Sequence, residues 1–167
     1  MQRIVQRSVV ALCLALVCSS CYVGDNPNLT STGKGKPQVT FDFPDHVDAG
    51  EQAKLVLDIS NPGPGDIPHV FVGFALLGDP TGVNPLIPIG AKHKNPAVVS
   101  IDPKPEAVSS DADIYRFGPL REGRSTTITF VIDIPDLTGR FENSVQVYDG
   151  NEPDRSVGVR LETMVGG

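Results

Sequence analysis

The chain of 167 residues has no tryptophan, two methionines, three histidines and three cysteines, and all the cysteines fall within the first 21 positions. Beyond Cys21 no disulfide can form within the chain, so a small fold stapled by cystines is excluded and the core must hold by packing. No apolar run approaches the 18 or so residues of a membrane-spanning helix, which excludes a polytopic helical membrane protein. Positive charge is also short: 14 Lys and Arg stand against 20 Asp and Glu, for a net charge of -6. A nucleic-acid binder working through a clustered basic face is thereby excluded. What the chain has in quantity is β-branched and turn-forming residues. Val, Ile and Thr total 39 against 21 for Ala and Leu, and Gly plus Pro reach 32. The first ratio favours strands, and the second shortens elements and multiplies turns, which excludes a long helical bundle.

The opening stretch, MQRIVQRSVVALCLALVCSSC, carries Arg3 and Arg7, then an apolar segment Val9–Val17, then Cys18, Ser19, Ser20 and Cys21. Nine apolar residues at ~1.5 Å each fall short of a ~30 Å bilayer, so the pattern predicts an export signal over residues 1–20 rather than a span. The run Val17-Cys18-Ser19-Ser20-Cys21 resembles the lipobox of bacterial lipoproteins, although Cys18 stands where that family normally has Leu. The resemblance implies cleavage after Ser20, a diacylglyceryl group on the Cys21 thiol and an acylated (palmitate-type) amine. Such chains anchor stably, at roughly 0.8 kcal/mol per buried CH₂. The localisation it implies is a bacterial cell envelope, at the outer membrane or cell surface. The processed chain would keep 12 basic and 20 acidic side chains, a charge of -8. Residues 21–36 are the lipidated Cys and a tether: Tyr22–Lys36 has no hydrophobic period and would reach roughly 20 Å.

From Pro37 to Gly167 the sequence alternates. Strands are expected over Gln38–Phe43, Glu51–Ser60, Pro68–Leu77, Ala97–Ile101, Asp113–Gly118, Thr126–Ile134, Arg140–Tyr148 and Ser156–Val165. Ile128, Phe130, Ile132 and Ile134 form the cleanest inward face, and Pro68–Leu77 is apolar on both faces, as a central or covered strand would be. Turn clusters such as Asn61-Pro62-Gly63-Pro64-Gly65 and Leu137-Thr138-Gly139 separate the runs. Seven to nine short strands predict an all-β fold, a single antiparallel β-sandwich.

Two blocks carry a resemblance. Val47-Asp48-Ala49-Gly50-Glu51 with Leu55–Gly63 is similar to the second-strand region of bacterial extracellular immunoglobulin-like repeats. Leu120–Phe130, followed by Pro135, Gly139-Arg140-Phe141 and Val145–Asp149, resembles the closing strands of the same domains, including CARDB-type and DUF11-type modules. The resemblance implies an immunoglobulin-like sandwich without the disulfide and buried Trp of antibody domains. Two excursions, Gly78–Pro96 and Asp102–Asp113, are longer than such repeats usually have. Long loops are often functional, so they are the expected contact surface for a protein partner: Asp79, Asn84, Lys92, His93, Lys94, Lys104, Glu106 and Asp111 are the candidates.

Catalytic signatures are absent. There is no G-x-S-x-G, and His46, His69 and His93 are spaced 23 and 24 apart, without a metal-ligand pattern. Oxygen ligands Asp149, Asn151, Glu152 and Asp154 alternate in one turn and would suit Ca²⁺, but their spacing is not that of an EF-hand and turns use the same residues. Tyr115, Phe117 and Tyr148 are candidates for an aromatic surface, against the alternative that strands of this kind bury them. The expectation is a non-catalytic binding or scaffolding module with no cofactor beyond the lipid and no nucleic-acid partner; any small-molecule ligand is unspecified. The alternatives are an accessory structural subunit of a membrane-anchored enzyme or secretion complex, and a Ca²⁺-binding or small metal or hydrolytic protein.

Overall fold

A computed structural model describes residues 36–75, 84–85, 97–109, 114–150 and 156–166. The signal segment, Cys21 and the tether up to residue 35 lie outside the described residues. Within them there are strands and turns but no helix.

Eleven strands run in order: β1 (Gln38–Asp42), β2 (His46–Val47), β3 (Gln52–Ser60), β4 (Val70–Ala75), β5 (Asn84–Pro85), β6 (Ala97–Asp102), β7 (Ala107–Val108), β8 (Ile114–Phe117), β9 (Ser125–Asp133), β10 (Gly139–Asp149) and β11 (Val157–Val165). They form two sheets. One has the order β1-β3-β9-β6; the other has β2-β11-β10-β4-β8-β7, with β5 beside β10. All-β is therefore the fold class, and the eight expected strands recur within two residues at either end. The apolar alternation decides which faces meet. Ala53, Leu55, Leu57 and Ile59 of β3 and Ile128, Phe130 and Ile132 of β9 are buried, while Lys54 and Asp58 point to solvent. The register Leu55↔Phe130 and Leu57↔Ile128 sets these inward rows side by side. From the facing sheet come Val70, Val72 and Phe74 of β4, Val145 and Val147 of β10, and Val157, Val159 and Leu161 of β11. A period of two can fill an interior from both sides only in this way.

Phe130 is the centre of that interior. Its ring makes edge-on contacts with Phe74 at 5.3 Å, Tyr115 at 5.3 Å and Phe117 at 6.3 Å between centroids. Since Phe130 belongs to one sheet and the other three to its partner, this cluster is the aromatic bond between the layers. Tyr115 and Phe117 are thus core residues, as strands of this kind normally make their aromatics, and they offer no aromatic surface.

A second tie fastens one end of the sandwich. Asn61 is buried, and its amide donates to the carbonyls of Gly65 (2.8 Å) and Leu120 (2.9 Å) while its Oδ1 accepts from the Gly63 amide (3.0 Å). Its backbone bonds Arg124 and Gly123. The Asn-Pro-Gly turn is therefore held to the 120–124 turn by one side chain. Gly63 has φ +85°, a backbone angle that favours glycine, and a Cβ there would lie 2.6 Å from the Glu122 carboxylate, which would have to move aside.

Both lateral openings of the sandwich are closed by chain that changes sheet. β1 pairs with β3, then Phe43-Pro44-Asp45 carries the chain over and β2 pairs in parallel with β11. Met164 N–H donates to Asp45 and Gly166 N–H to Val47 at this seam, at 2.8 and 3.1 Å. On the other side β6 pairs with β9, and residues 103–106 lead to β7, which pairs with β8. The second excursion is accordingly not a structureless loop: β7 and β8 make a short hairpin, closed by Ser109 N–H donating to the Ile114 carbonyl at 2.9 Å.

Candidate functional site

The contact residues expected from sequence are only partly within view. Asp79, Lys92, His93, Lys94 and Asp111 lie outside the described residues, as do Asn151, Glu152 and Asp154 of the oxygen-ligand turn. The backbone of Asn84 pairs in parallel with Phe141. Asp149 ends β10 opposite Val70. Lys104 and Glu106 are exposed on the sheet-switching segment between β6 and β7. Among the described residues no three His, Cys, Asp or Glu side chains come together in a way that could hold a metal ion.

The structure builds one corner around Glu106, from β6 across to the outer face of β4 and β8. Its first part is the edge strand β6. This strand pairs with β9 on one side, and the ladder breaks between Val98 and Ser100, leaving Val99 without a partner on β9. Val99 is 51% exposed, and Val108 on the neighbouring β7 is 48% exposed, among the few large apolar side chains that face water. Ala97 to Ile101 carries no charge. A bulge twists an edge and spoils it as a regular pairing template.

The second part is the outer sheet face. Glu106 donates its N–H to the Arg116 carbonyl at 2.8 Å, which places its side chain over β8. Its Oε2 lies 3.5 Å from Arg116 Nε and 3.8 Å from His69 Nδ1. Both nitrogens are hidden from solvent, and neither has a hydrogen-bond partner among the described residues. The three side chains as wholes are about two-fifths exposed. The register Phe71↔Arg116 and Phe71↔Tyr148 continues the row onto β4 and β10. There Phe71 and Tyr148 stack, 5.4 Å between centroids and 17° between planes. Two glycines make room: a Cβ on Gly150 would meet the Phe71 ring at 2.2 Å, and one on Gly118 would meet the Glu106 carboxylate at 3.2 Å. The arrangement offers hydrogen-bond donors, an acceptor and an apolar ring in one patch. It contains no nucleophile aligned with a base.

Of the sequence candidates, Glu106 and Tyr148 are joined in this patch. His69, Phe71 and Arg116 were missed. Phe71 was legible as one of the outward apolar residues of a strand apolar on both faces, a signal that covered strands also give. Arg116 and His69 acquire meaning only through the register of β8 on β4 and the return of the chain at Glu106.

No family model matches the chain, and no curated protein does. Solved structures do resemble it. The CARDB domain of a Pyrococcus furiosus protein, solved in complex with di-metal ions, is 14% identical with a TM-score of 0.46 over 86% of this chain and 98% of that one. The human F-spondin reeler domain is 11% identical with a TM-score of 0.40, over 89% and 92%. A cohesin module from a Clostridium perfringens family 33 glycoside hydrolase is 11% identical with a TM-score of 0.39, over 80% and 98%. None reaches 0.5, and the two-sheet architecture rests on the strand pairing itself.

Proposed function

We propose that the protein is a non-catalytic binding module held at a bacterial cell envelope by a lipid on Cys21, with residues 22–36 as its tether. In this reading β6 receives an extended segment of a partner protein as an added strand. Main-chain bonds supply the affinity of such a contact and alternate side chains supply its selectivity. The observation that carries the proposal is Val99. It is half-exposed and apolar, at the irregular point of an edge that has a neighbour on one side among the described residues. The bulge rejects flat, regular strands, so a partner must present a segment that accommodates it. Val108 on β7, in the other sheet, is a second half-exposed apolar side chain.

The test is capture of the full-length protein from its native envelope, beside the Val99→Asp variant, with intact-mass analysis of the N-terminus. A diacylglyceryl mass on Cys21, and one stoichiometric partner present with the native protein and lost with the variant, are the expected results. An unmodified Cys21 removes the anchor from the reading. A partner retained equally by Val99→Asp removes the β6 edge.

A further inference from the structure

We infer that the outer face of β4 and β8 is a sugar-binding site, in which Phe71, Arg116, Glu106 and His69 receive one sugar residue with vicinal hydroxyl groups. A sugar ring has a C–H face that packs on an aromatic ring and a rim of hydroxyls, each both donor and acceptor. A site for it must therefore combine an apolar ring with donors and acceptors side by side, which is the composition of this patch. Tyr148 stacks on one face of Phe71, which is half-buried, and Arg116 stands opposite Phe71 on β8 with Glu106 beside it.

The polar half is under-bonded as it stands. Arg116 Nε and His69 Nδ1 both face Glu106 Oε2 from beyond hydrogen-bond distance, and both are shut off from solvent. A hidden guanidinium donor without an acceptor is costly, and a hydroxyl that accepts from Arg116 Nε while donating to Glu106 would relieve the cost. Adjacent hydroxyls match a carboxylate and a guanidinium set side by side. The same carboxylate argues against an anionic ligand, because Glu106 would face it with like charge, as would a protein carrying a net charge of -6. The glycines fit this reading. Gly118 lets the carboxylate lie close to the sheet and Gly150 gives the Phe71 ring its place.

This site is separate from strand addition at β6, and the two can fail independently. The experiment is titration calorimetry of the full-length protein in detergent with maltotetraose, cellotetraose and mannotetraose, followed by amide shift mapping with whichever binds. At least one of these should bind in the millimolar range, with shifts centred on Phe71, Glu106, Arg116 and Gly118. Arg116→Ala and Glu106→Gln should each weaken it about tenfold or more, the loss expected for a hydrogen bond to a charged group. Both side chains are about two-fifths exposed, so these variants should fold as the native protein does, which a melting curve checks. No binding of any of the three sugars at 10-fold excess over a millimolar dissociation constant (~10 mM) would overturn the inference. So would binding that Arg116→Ala and Glu106→Gln leave unchanged, or shifts that map elsewhere.

Discussion

Glu142 and Glu162 face each other directly across the β10–β11 ladder. Like charges in that position repel, and the sheet answers with two arginines on the diagonals. Arg160 bonds Glu142 through Nε at 3.0 Å and through a closer contact from its second nitrogen, while Arg140 reaches Glu162 at 2.5 Å. The pairs are not equivalent. Glu142 is 4% exposed, whereas Glu162 and Arg140 are both nearly half-exposed.

That asymmetry predicts different costs for removing the arginines. Arg160→Ala leaves an enclosed carboxylate without its partner. Discounted for the exposure of Arg160 itself, the loss should be about 1–2 kcal/mol. Arg140→Ala should cost less than about 1 kcal/mol, as exposed pairs do. Urea unfolding of the two variants under the same conditions gives the comparison, and equal losses would contradict it.

At the Asn61 tie, Asn61→Ala removes three side-chain hydrogen bonds; the Gly65 carbonyl and the Gly63 amide lose this partner, while the Leu120 carbonyl keeps the Ile67 N–H. A loss of about 2–4 kcal/mol is expected, close to the tolerance of a small domain. Gly63→Ala should be harmful as well, through its backbone angle and the Glu122 contact. Thermal melts of both should show large drops, and a melt unchanged in Asn61→Ala would show that the turn holds without it.

The interior carries two polar groups that gain nothing. Asn143 is fully buried and Thr163 nearly so, on neighbouring positions of the inward rows of β10 and β11, and neither side chain has a hydrogen-bond partner among the described residues. Thr163→Val keeps the shape and removes the unpaired hydroxyl, so it should be neutral or stabilise by up to about 1 kcal/mol. The midpoint of denaturant unfolding should rise or stay, and a clear fall would mean that the hydroxyl has a partner such as an ordered water.

Phe130→Ala takes away the ring that three aromatics of the opposite sheet contact. The cost should be about 3–5 kcal/mol, a deletion large enough to loosen the two layers from each other. Val99→Asp, by contrast, should shift stability by no more than about 0.5 kcal/mol, because its side chain already faces water. Circular dichroism melts separate the two outcomes.

The inward faces of β3, β9 and β11 could be read residue by residue, since a strict period of two leaves little choice of which side chains are buried. The central position of β4 followed from its apolarity on both faces. The short pieces β2, β5 and β7 could not be read in this way. Two residues carry no period, and each exists because a longer strand offers it an edge. Tyr115 and Phe117 show the same limit in the core. An alternating aromatic strand marks a face, and only the partner sheet decides whether that face meets Phe130 or water. The Glu106 corner was half legible: the acid stood out in a long excursion, but its companions come from sequence positions 37 residues upstream and 10 downstream.

The crossing at Phe43-Pro44-Asp45 has a mechanical consequence. β1 belongs to one sheet and β2 to the other, so tension arriving through the residues before Gln38 is divided between both layers. A pull that peels β1 away from β3 next meets the parallel seam where Met164 and Gly166 donate to Asp45 and Val47. Bonds loaded along a strand give way together, whereas bonds loaded across it open one at a time. A domain fastened at this end would accordingly resist being dragged more than its two-residue strand suggests, and the first place to yield would lie elsewhere in the sandwich.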